Sequence, residues 1–221
     1  MPVPYQPEQR SLQDRFDTRR LADRVNERLA TDKIDARDQA FIESVDMLFI
    51  ATVDRRGVPT CSHKGGDPGF VRVLNPHELA FPLYDGNGMF LTAGNLAGRP
   101  SVGLLFIDLQ RGHRLRIHGE AQLDDGLAQL FPGALLAVRV CVREVFQNCG
   151  RYLHRRVLIE RSASVPAPDG TTPPAGWKRN AFAITVLPAD DPANSRLYRA
   201  RARVLTLAAA FVGKRPGRYT R

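Results

Sequence analysis

The sequence contains little cysteine, no long apolar run and no secretory leader pattern. Its 221 residues include three cysteines, whose spacing fits neither a zinc ribbon nor a dithiol redox motif: Cys61, Cys141 and Cys149. No stretch approaches the roughly 18 to 20 apolar residues of a membrane helix, and the first residues lack the basic region and apolar core of a signal peptide. We therefore expect a cytoplasmic protein with free thiols and no metal site.

The chain is basic overall, but the excess charge is concentrated at one end. The formal net charge is +9, and eight basic side chains and no acid follow Ser195. The residues before Ser195 are therefore nearly neutral, which argues against a nucleic-acid groove on the folded body. We predict a basic amphipathic C-terminal tail over residues 196–221. Such a tail could contact nucleic acid or a membrane, although docking of its apolar stripe on the body or a dimer partner is the favoured interpretation.

Residues 8–40 alternate acidic and basic side chains, with apolar residues at helical spacing. The apolar set is Leu12, Phe16, Leu21, Val25 and Leu29. This pattern predicts one or two amphipathic helices that pack one face on the body. A further short helix is expected over residues 36–44. Residues 1–44 are thus predicted to form an N-terminal helical segment, followed by one domain over residues 45–195.

The central part of the chain has the pattern of many short strands separated by turns. Strands are predicted over residues 47–53, 58–63, 70–74, 78–81, 102–109, 114–123 and 135–146, with one helix over residues 88–96. So many short strands with few helices predict a mainly β fold, a closed antiparallel barrel with peripheral helices. Residues 165–176 contain four prolines and two glycines, which predicts an extended loop.

Polar and glycine residues gather where this pattern places strand ends and one loop. Four end a predicted strand, where glycine allows a ligand to approach the backbone closely: Ser62, His63, Lys64 and Gly65. Five form a loop that precedes the predicted helix, whose free N–H groups could bind an anion: Tyr84, Asp85, Asn87, Gly88 and Met89. Four more lie on or after that helix or alternate along one later strand: Asn95, Arg99, Arg114 and Arg116.

These segments, in this order, resemble the flavin-binding split β-barrel of the pyridoxamine 5'-phosphate oxidase superfamily over about residues 40–150. The strings that carry the resemblance are Ile50-Ala51-Thr52-Val53 with Gly57-Val58-Pro59, Asn95-Leu96 with Arg99-Pro100-Ser101-Val102, and Arg114-Leu115-Arg116-Ile117-His118-Gly119. The resemblance implies an antiparallel split barrel of Greek-key type that binds FMN at a homodimer interface. It also implies that the thirteen residues named above contact the cofactor.

The sequence differs from the oxidase at two positions of the phosphate site. Ser62 and Thr92 stand where the oxidase has a phosphate-binding arginine and lysine, so Lys64, Arg99 or the pair Arg114 and Arg116 would have to supply the charge. Arg114 falls near the flavin-contacting glutamine of the family. The pyridoxal-phosphate pocket is not recognisable, which indicates a relative of the oxidase and not the vitamin B6 enzyme itself.

The function implied is an FMN-dependent oxidoreductase with an unknown small-molecule substrate. No residue is predicted to act as a general acid or base. One alternative keeps the barrel but places a deazaflavin or haem in it, with His63, His113 or His118 as ligands or pocket residues. Another alternative is a non-enzymatic protein that binds a membrane or nucleic acid through its basic tail.

Overall fold

The computed structural model describes residues 3–194, apart from the side chains of Asn148 and Ala181. The chain divides into two compact units, residues 1–171 and 172–221. The helices and strands of the first unit are α1 (Pro7–Arg15), α2 (Arg19–Leu29), β1 (Ala30–Thr31), α3 (Ala36–Ser44), β2 (Met47–Val53), β3 (Pro59–Gly65), β4 (Arg72–Asn75), β5 (Glu78–Leu83), α4 (Leu91–Gly98), β6 (Ser101–Asp108), β7 (His113–Leu123), α5 (Asp125–Ala128) and β8 (Leu136–Asn148).

The second unit is described as far as residue 194. It contains a 3₁₀ turn (Gly176–Arg179) and the short helix α6 (Ala181–Ile184). In this unit Lys178 Nζ donates to a carboxylate oxygen of Asp191 at 2.7 Å, and both side chains are buried. The predicted basic tail over residues 196–221 lies outside the described residues.

The strands form one antiparallel sheet in the order β3-β2-β6-β7-β8-β5-β4, and β1 pairs with β8. The predicted class, a mainly β antiparallel fold with peripheral helices, is confirmed. The expected closure is wrong for the part of the chain that the structure describes, because β3 and β4 end the sheet without pairing with each other. Turn spacing located all the strands but the short β1, whereas closure depends on strand tilt and stagger, which the pattern does not encode.

The core lies on one face of this sheet. Leu48 and Ile50 of β2 are fully buried and lie opposite Phe106 and Leu104 of β6. The alternate residues of β2 are less buried, so the strand has one inner and one outer face. Because a shift of one residue would exchange these faces, the burial of Leu48 and Ile50 fixes the register of β2 between β3 and β6.

A tight turn joins β2 to β3 and sets the register of the edge strand. The carboxylate of Asp54 accepts hydrogen bonds from the backbone N–H groups of Val58 and Arg56, both at 2.9 Å. These bonds, together with the Arg56 guanidinium, lower the pKa of Asp54 below its usual range. Gly57 has φ of +86°, which glycine adopts without strain. The turn and β2 agree with the sequence prediction, whereas β3 begins one residue later and ends two residues later than predicted.

The N-terminal helices form where the sequence predicts them, but they do not bury their apolar face. No residue of α1 or α2 is buried, and the five apolar side chains that indicated packing are 45–65% exposed. The described hydrogen bonds instead tie the start of the chain to α2, since Tyr5 Oη donates to Ala22 O at 2.9 Å. Burial begins further on, at Ile34 and at Ile42 of α3.

Two sequence predictions concern the chain as a whole. The three cysteines are free, as predicted. Within residues 3–194 the structure contains no helix of the length and apolarity that crossing a membrane requires.

Candidate functional site

The edge strand β3 presents its side chains to two different surroundings. Lys64 lies opposite Leu48 of β2, and Ser62 lies opposite Ile50, so both belong to the inner face. His63 lies opposite Phe49 and belongs to the outer face. The four consecutive residues predicted as cofactor contacts, residues 62–65, are therefore divided between the two faces of the sheet.

On the inner face, three polar side chains form a connected cluster. Lys64 Nζ donates to Thr92 Oγ1 at 3.2 Å, and Thr92 Oγ1 donates to Ser62 Oγ at 3.3 Å. Thr92 belongs to α4 and is 6% exposed. We call Ser62, Lys64 and Thr92 the polar cradle. It joins the edge strand to the first turn of α4 across 28 residues of sequence.

The charge of the cradle is not neutralised by the residues that the structure describes. No carboxylate within residues 3–194 forms an ion pair with Lys64, and burial lowers the pKa of its ammonium group. An ammonium beside two hydroxyls offers several hydrogen-bond donors and no competing negative charge. This arrangement suits an anion with several oxygens, such as a phosphate.

The cradle lies at the N-terminus of α4. The helix begins at Leu91, three residues later than predicted, and its N-cap residue Phe90 provides no side-chain hydrogen bond. The first N–H groups of the helix therefore have no capping side chain. The late start has a local cause, because Asn87 Oδ1 accepts from Met89 N at 3.0 Å and Gly88 has φ of +73°, which completes a turn before the helix.

Two other predicted contacts on this side are engaged with the protein itself. Asn95 Nδ2 donates to Thr52 Oγ1 at 3.0 Å, and Arg99 Nη2 donates to the carbonyl oxygen of Arg55 at 3.2 Å. Both bonds attach α4 to strand β2 and the turn after it. One N–H of the exposed Arg99 guanidinium is thus bonded to the turn after β2, whereas Lys64 lies within the cradle.

The loop before α4 is the most exposed part of the predicted set. Asp85, Asn87, Gly88 and Met89 are all exposed, and Tyr84 is half-buried. Burial, followed by the charge of Asp67, raises the pKa of Tyr84. Tyr84 therefore stays a neutral hydrogen-bonding group at physiological pH.

Arg114 and Arg116 point to one side of β7, as predicted, but that side is the outer face. Arg116 lies opposite Leu105, which in turn lies opposite Phe49, so it shares a face with His63. The guanidinium of Arg116 lies 5.3 Å from the ring centroid of Phe146. Arg114 donates to the carbonyl oxygen of Cys149, and its Nε is buried without a partner.

The sequence interpretation gave Thr92 no role in the site, and the structure places it at the centre of the cradle. The signal available was its position, which the resemblance already identified as one where the oxidase has a phosphate-binding lysine. Two hydroxyl residues and Lys64 thus occupy the place where the resemblance predicts two cations.

The structure is a mainly β protein with one antiparallel sheet and a polar cradle beside its edge strand. Residues 34–131 match the family model named pyridoxamine 5'-phosphate oxidase. This match supports the resemblance to the pyridoxamine 5'-phosphate oxidase family that the sequence predicts. None of the curated proteins matches this chain.

Several solved structures resemble about half of this chain. HupZ of Group A Streptococcus is 16% identical, with 52% of this chain and 93% of its own covered, at a TM-score of 0.43. The haem storage protein HutZ of Vibrio cholerae is 16% identical. The match covers 52% of this chain and 95% of HutZ, at a TM-score of 0.38. A protein of the pyridoxine phosphate oxidase family from Clostridium acetobutylicum, related to general stress protein 26, is 13% identical, with 51% and 87% covered, at 0.32.

Proposed function

We propose that this protein binds FMN and acts as an FMN-dependent oxidoreductase on a small-molecule substrate. The observation that carries the proposal is the polar cradle: one half-buried ammonium and two hydroxyls at an uncapped helix N-terminus. The family relationship indicates a flavin as the ligand whose phosphate would lie there.

The cradle fits a phosphate group in charge and in hydrogen bonding. Lys64 supplies a positive charge, and Ser62 and Thr92 supply hydroxyl groups. The first N–H groups of α4 lie at the N-terminal end of the helix, where Thr92 also lies. Helix N-termini favour anions because of their free N–H groups and the helix dipole. A single lysine thus replaces the two cations that the resemblance predicts.

The edge position of β3 fits the flat ring of a flavin. Because β3 pairs with β2 alone among the described strands, the backbone N–H and C=O groups on its other side remain available. The ring of a flavin has an amide-like edge that alternates donors and acceptors, which such a strand can match. When bound, the flavin supplies two-electron chemistry, and the protein residues bind and orient it.

The outer face of the sheet fits the proposed homodimer. Phe49 and Ala51 are apolar, and neither is buried in the single chain. A second copy could cover them, as the resemblance implies for the family. Size-exclusion chromatography with light scattering should then give twice the mass of the 221-residue chain. The three free thiols fit the proposed cytoplasmic location.

Haem is a second candidate ligand, because of one histidine on the outer face. His118 Nδ1 lies 2.9 Å from Glu144 Oε2, which leaves the other ring nitrogen available as a ligand. Gly103 lies opposite His118 and adds no side chain beside it. A deazaflavin, whose side chain also carries phosphate, would use the cradle in the same way as FMN.

The proposal is tested by titrating the purified protein with FMN and with riboflavin, which lacks the phosphate. We expect the absorbance spectrum of bound flavin, bleaching on addition of a reductant, and affinity for FMN at least 10-fold above that for riboflavin. Heat release of any co-purified ligand identifies it directly. A protein that binds neither flavin would contradict the proposal, and a haem spectrum would favour the second candidate.

A further inference from the structure

A cavity of about 740 Å³ lies beside the outer face of the sheet, at the end of the edge strand. It is bounded by the adjoining ends of β2 and β3, by the turn between β6 and β7, and by residues 156–165, which we call the strap. The volume is within the range of sites for small organic ligands, roughly 300 to 1,000 Å³. The proposed function does not use this cavity.

The strap is held at both ends. Its backbone at Arg156 donates to Leu109 O at 3.0 Å. At the other end, Arg161 forms a two-pronged ion pair with Asp67, at 2.7 and 2.8 Å, and also donates to the carbonyl oxygen of Pro166 at 3.0 Å. Both partners of this ion pair are about half exposed, and exposed pairs contribute roughly 0–1 kcal/mol. The strap therefore forms one side of the cavity and is held there by contacts that contribute little to stability.

The walls of the cavity are mainly apolar: Val45, Met47, Ile107, Leu109, Val157 and Leu158. Seven charged side chains also line the cavity, and four of them form two ion pairs. Asp67 pairs with Arg161, and Asp108 pairs with Arg111 at 3.7 Å. Asp46, Arg156 and Glu160 are exposed to solvent at the rim. The charged groups thus lie at the rim or in ion pairs, and the apolar surface between them favours an uncharged ligand.

The cavity adjoins the proposed cofactor site through one strand. His63 and Gly65 line the cavity, whereas Ser62 and Lys64 face the cradle on the opposite side. Successive residues of a strand advance about 3.3 Å, so the two sites lie close together along β3 without sharing a side chain. A molecule in the cavity therefore does not compete for the cradle.

We propose that this cavity binds an uncharged, largely apolar organic molecule of one or two rings, the second reactant of the flavin enzyme. Its role as a reactant rests on the proposed function. The binding itself rests on the cavity, its apolar walls and the strap.

The test uses N-phenyl-1-naphthylamine, a neutral probe that fluoresces in apolar sites, on the full-length protein. Leu158 and Ile159 are neighbours on the strap, 61% and 95% exposed, but only Leu158 lines the cavity. Placing a carboxylate at the wall opposes an apolar ligand. We expect saturable binding by the wild type, about 10-fold weaker binding by Leu158→Glu, and less than a 2-fold change in Ile159→Glu.

A second pair of variants fills the cavity instead of charging it. Ile107→Trp adds bulk at the wall, and Leu105→Trp makes the same type of change two residues away on the same strand, outside the lining. The first should abolish probe binding, and the second should retain it. Absence of saturable binding by the wild type, or equal losses within either pair, would overturn the proposal.

FMN titrations of the same proteins separate this inference from the proposed function. Leu158→Glu should bind FMN as the wild type does, because the cradle is on the other face of β3. If the wild type binds FMN but not the probe, the cavity proposal is overturned and the proposed function is not. FMN binding that fails in the wild type overturns the proposed function, and the probe then tests the cavity as a site independent of a flavin.

Discussion

The two faces of strand β3 differ more than its sequence indicates. On the inner face, Lys64 and Ser62 are half-buried and hydrogen-bonded to Thr92 of α4. On the outer face, His63 is exposed and meets Phe49 edge-on, with ring centroids 5.8 Å apart. Both faces carry polar side chains, but only the inner one lies beneath a helix. The comparison shows that the covering helix, and not the polarity of the strand, creates the polar cradle.

The largest effect should follow removal of the cationic group from the inner face. Lys64→Met keeps the length of the side chain but removes its charge. Hydrogen bonds to charged groups contribute about 1.5–3 kcal/mol, so FMN affinity should fall on the order of 100-fold. Isothermal titration with FMN and riboflavin measures this, and riboflavin affinity should change less than 2-fold. Equal losses for both ligands would show that Lys64 does not contact the phosphate.

A change of pH should also test the role of Lys64 on the inner face of β3. Burial lowers the pKa of Lys64 below its ordinary value of 10.5. FMN affinity should therefore fall as pH rises through that lowered pKa, because the neutral amine no longer attracts the phosphate. Without ligand the sign is opposite: the unfolded chain binds more protons in the window below 10.5, so the free energy of unfolding rises with pH.

The control for the pH experiment is Lys64→Met. In this variant neither the FMN affinity nor the free energy of unfolding should show the pH dependence that Lys64 causes. FMN titrations and urea denaturation between pH 7 and about 10.5 measure them. The raised pKa of Tyr84 keeps that group protonated over most of this window. Identical pH slopes in the variant and the wild type would assign the titration to another group.

A smaller effect is expected from the hydroxyl group that links the strand to the helix. Thr92→Val retains the shape of the side chain but removes the acceptor of the Lys64 bond and the donor to Ser62. One neutral hydrogen bond contributes about 1 kcal/mol, so FMN affinity should fall about 5-fold. Thr60→Val, on the same face of β3 but outside the cradle, is the matched control. An unchanged FMN affinity in Thr92→Val would remove α4 from the site.

The smallest effect should come from the outer face. His63→Ala removes the edge contact with Phe49, for which roughly 0.5–1.5 kcal/mol of stability is expected. We expect a decrease of this size in the free energy of unfolding, measured with urea, and less than a 2-fold change in FMN affinity. A 10-fold loss of FMN affinity would break the distinction between the two faces, since it would place the ligand across both.

Local pattern was sufficient for most of the secondary structure. The bounds of α3 and β2 agree with the prediction to the residue, because a capping aspartate, Asp35, marks the start of α3 and a mostly apolar run followed by a turn marks β2. The start of α4 was misjudged, since Phe90 takes a left-handed backbone (φ 50°) that its residue type does not announce. The sequence also gives no signal for an open sheet edge.

The candidate site was predictable in its parts and not in its assembly. The sequence singles out Lys64 and the resemblance singles out Thr92, but 28 residues separate them and only the packing of α4 brings them together. Arg114 and Arg116 were correctly placed on one side of β7. Which side that is depends on the register of β6 between β2 and β7, a long-range property that alternation within one strand does not reveal.

The central position of β8 has a consequence for how the chain reaches its native state. This strand pairs with β1, β5 and β7 and spans residues 136–148. The hairpin of β4 and β5 joins the sheet through β8 alone among the described strands, although it is synthesised some 50 residues earlier. During translation the hairpin of β4 and β5 cannot pair with the rest of the sheet until β8 has been synthesised. The sheet is therefore completed only after residue 148 has left the ribosome. Pairings of such long sequence separation make folding slow, and that delay is when chaperones would matter most to this protein.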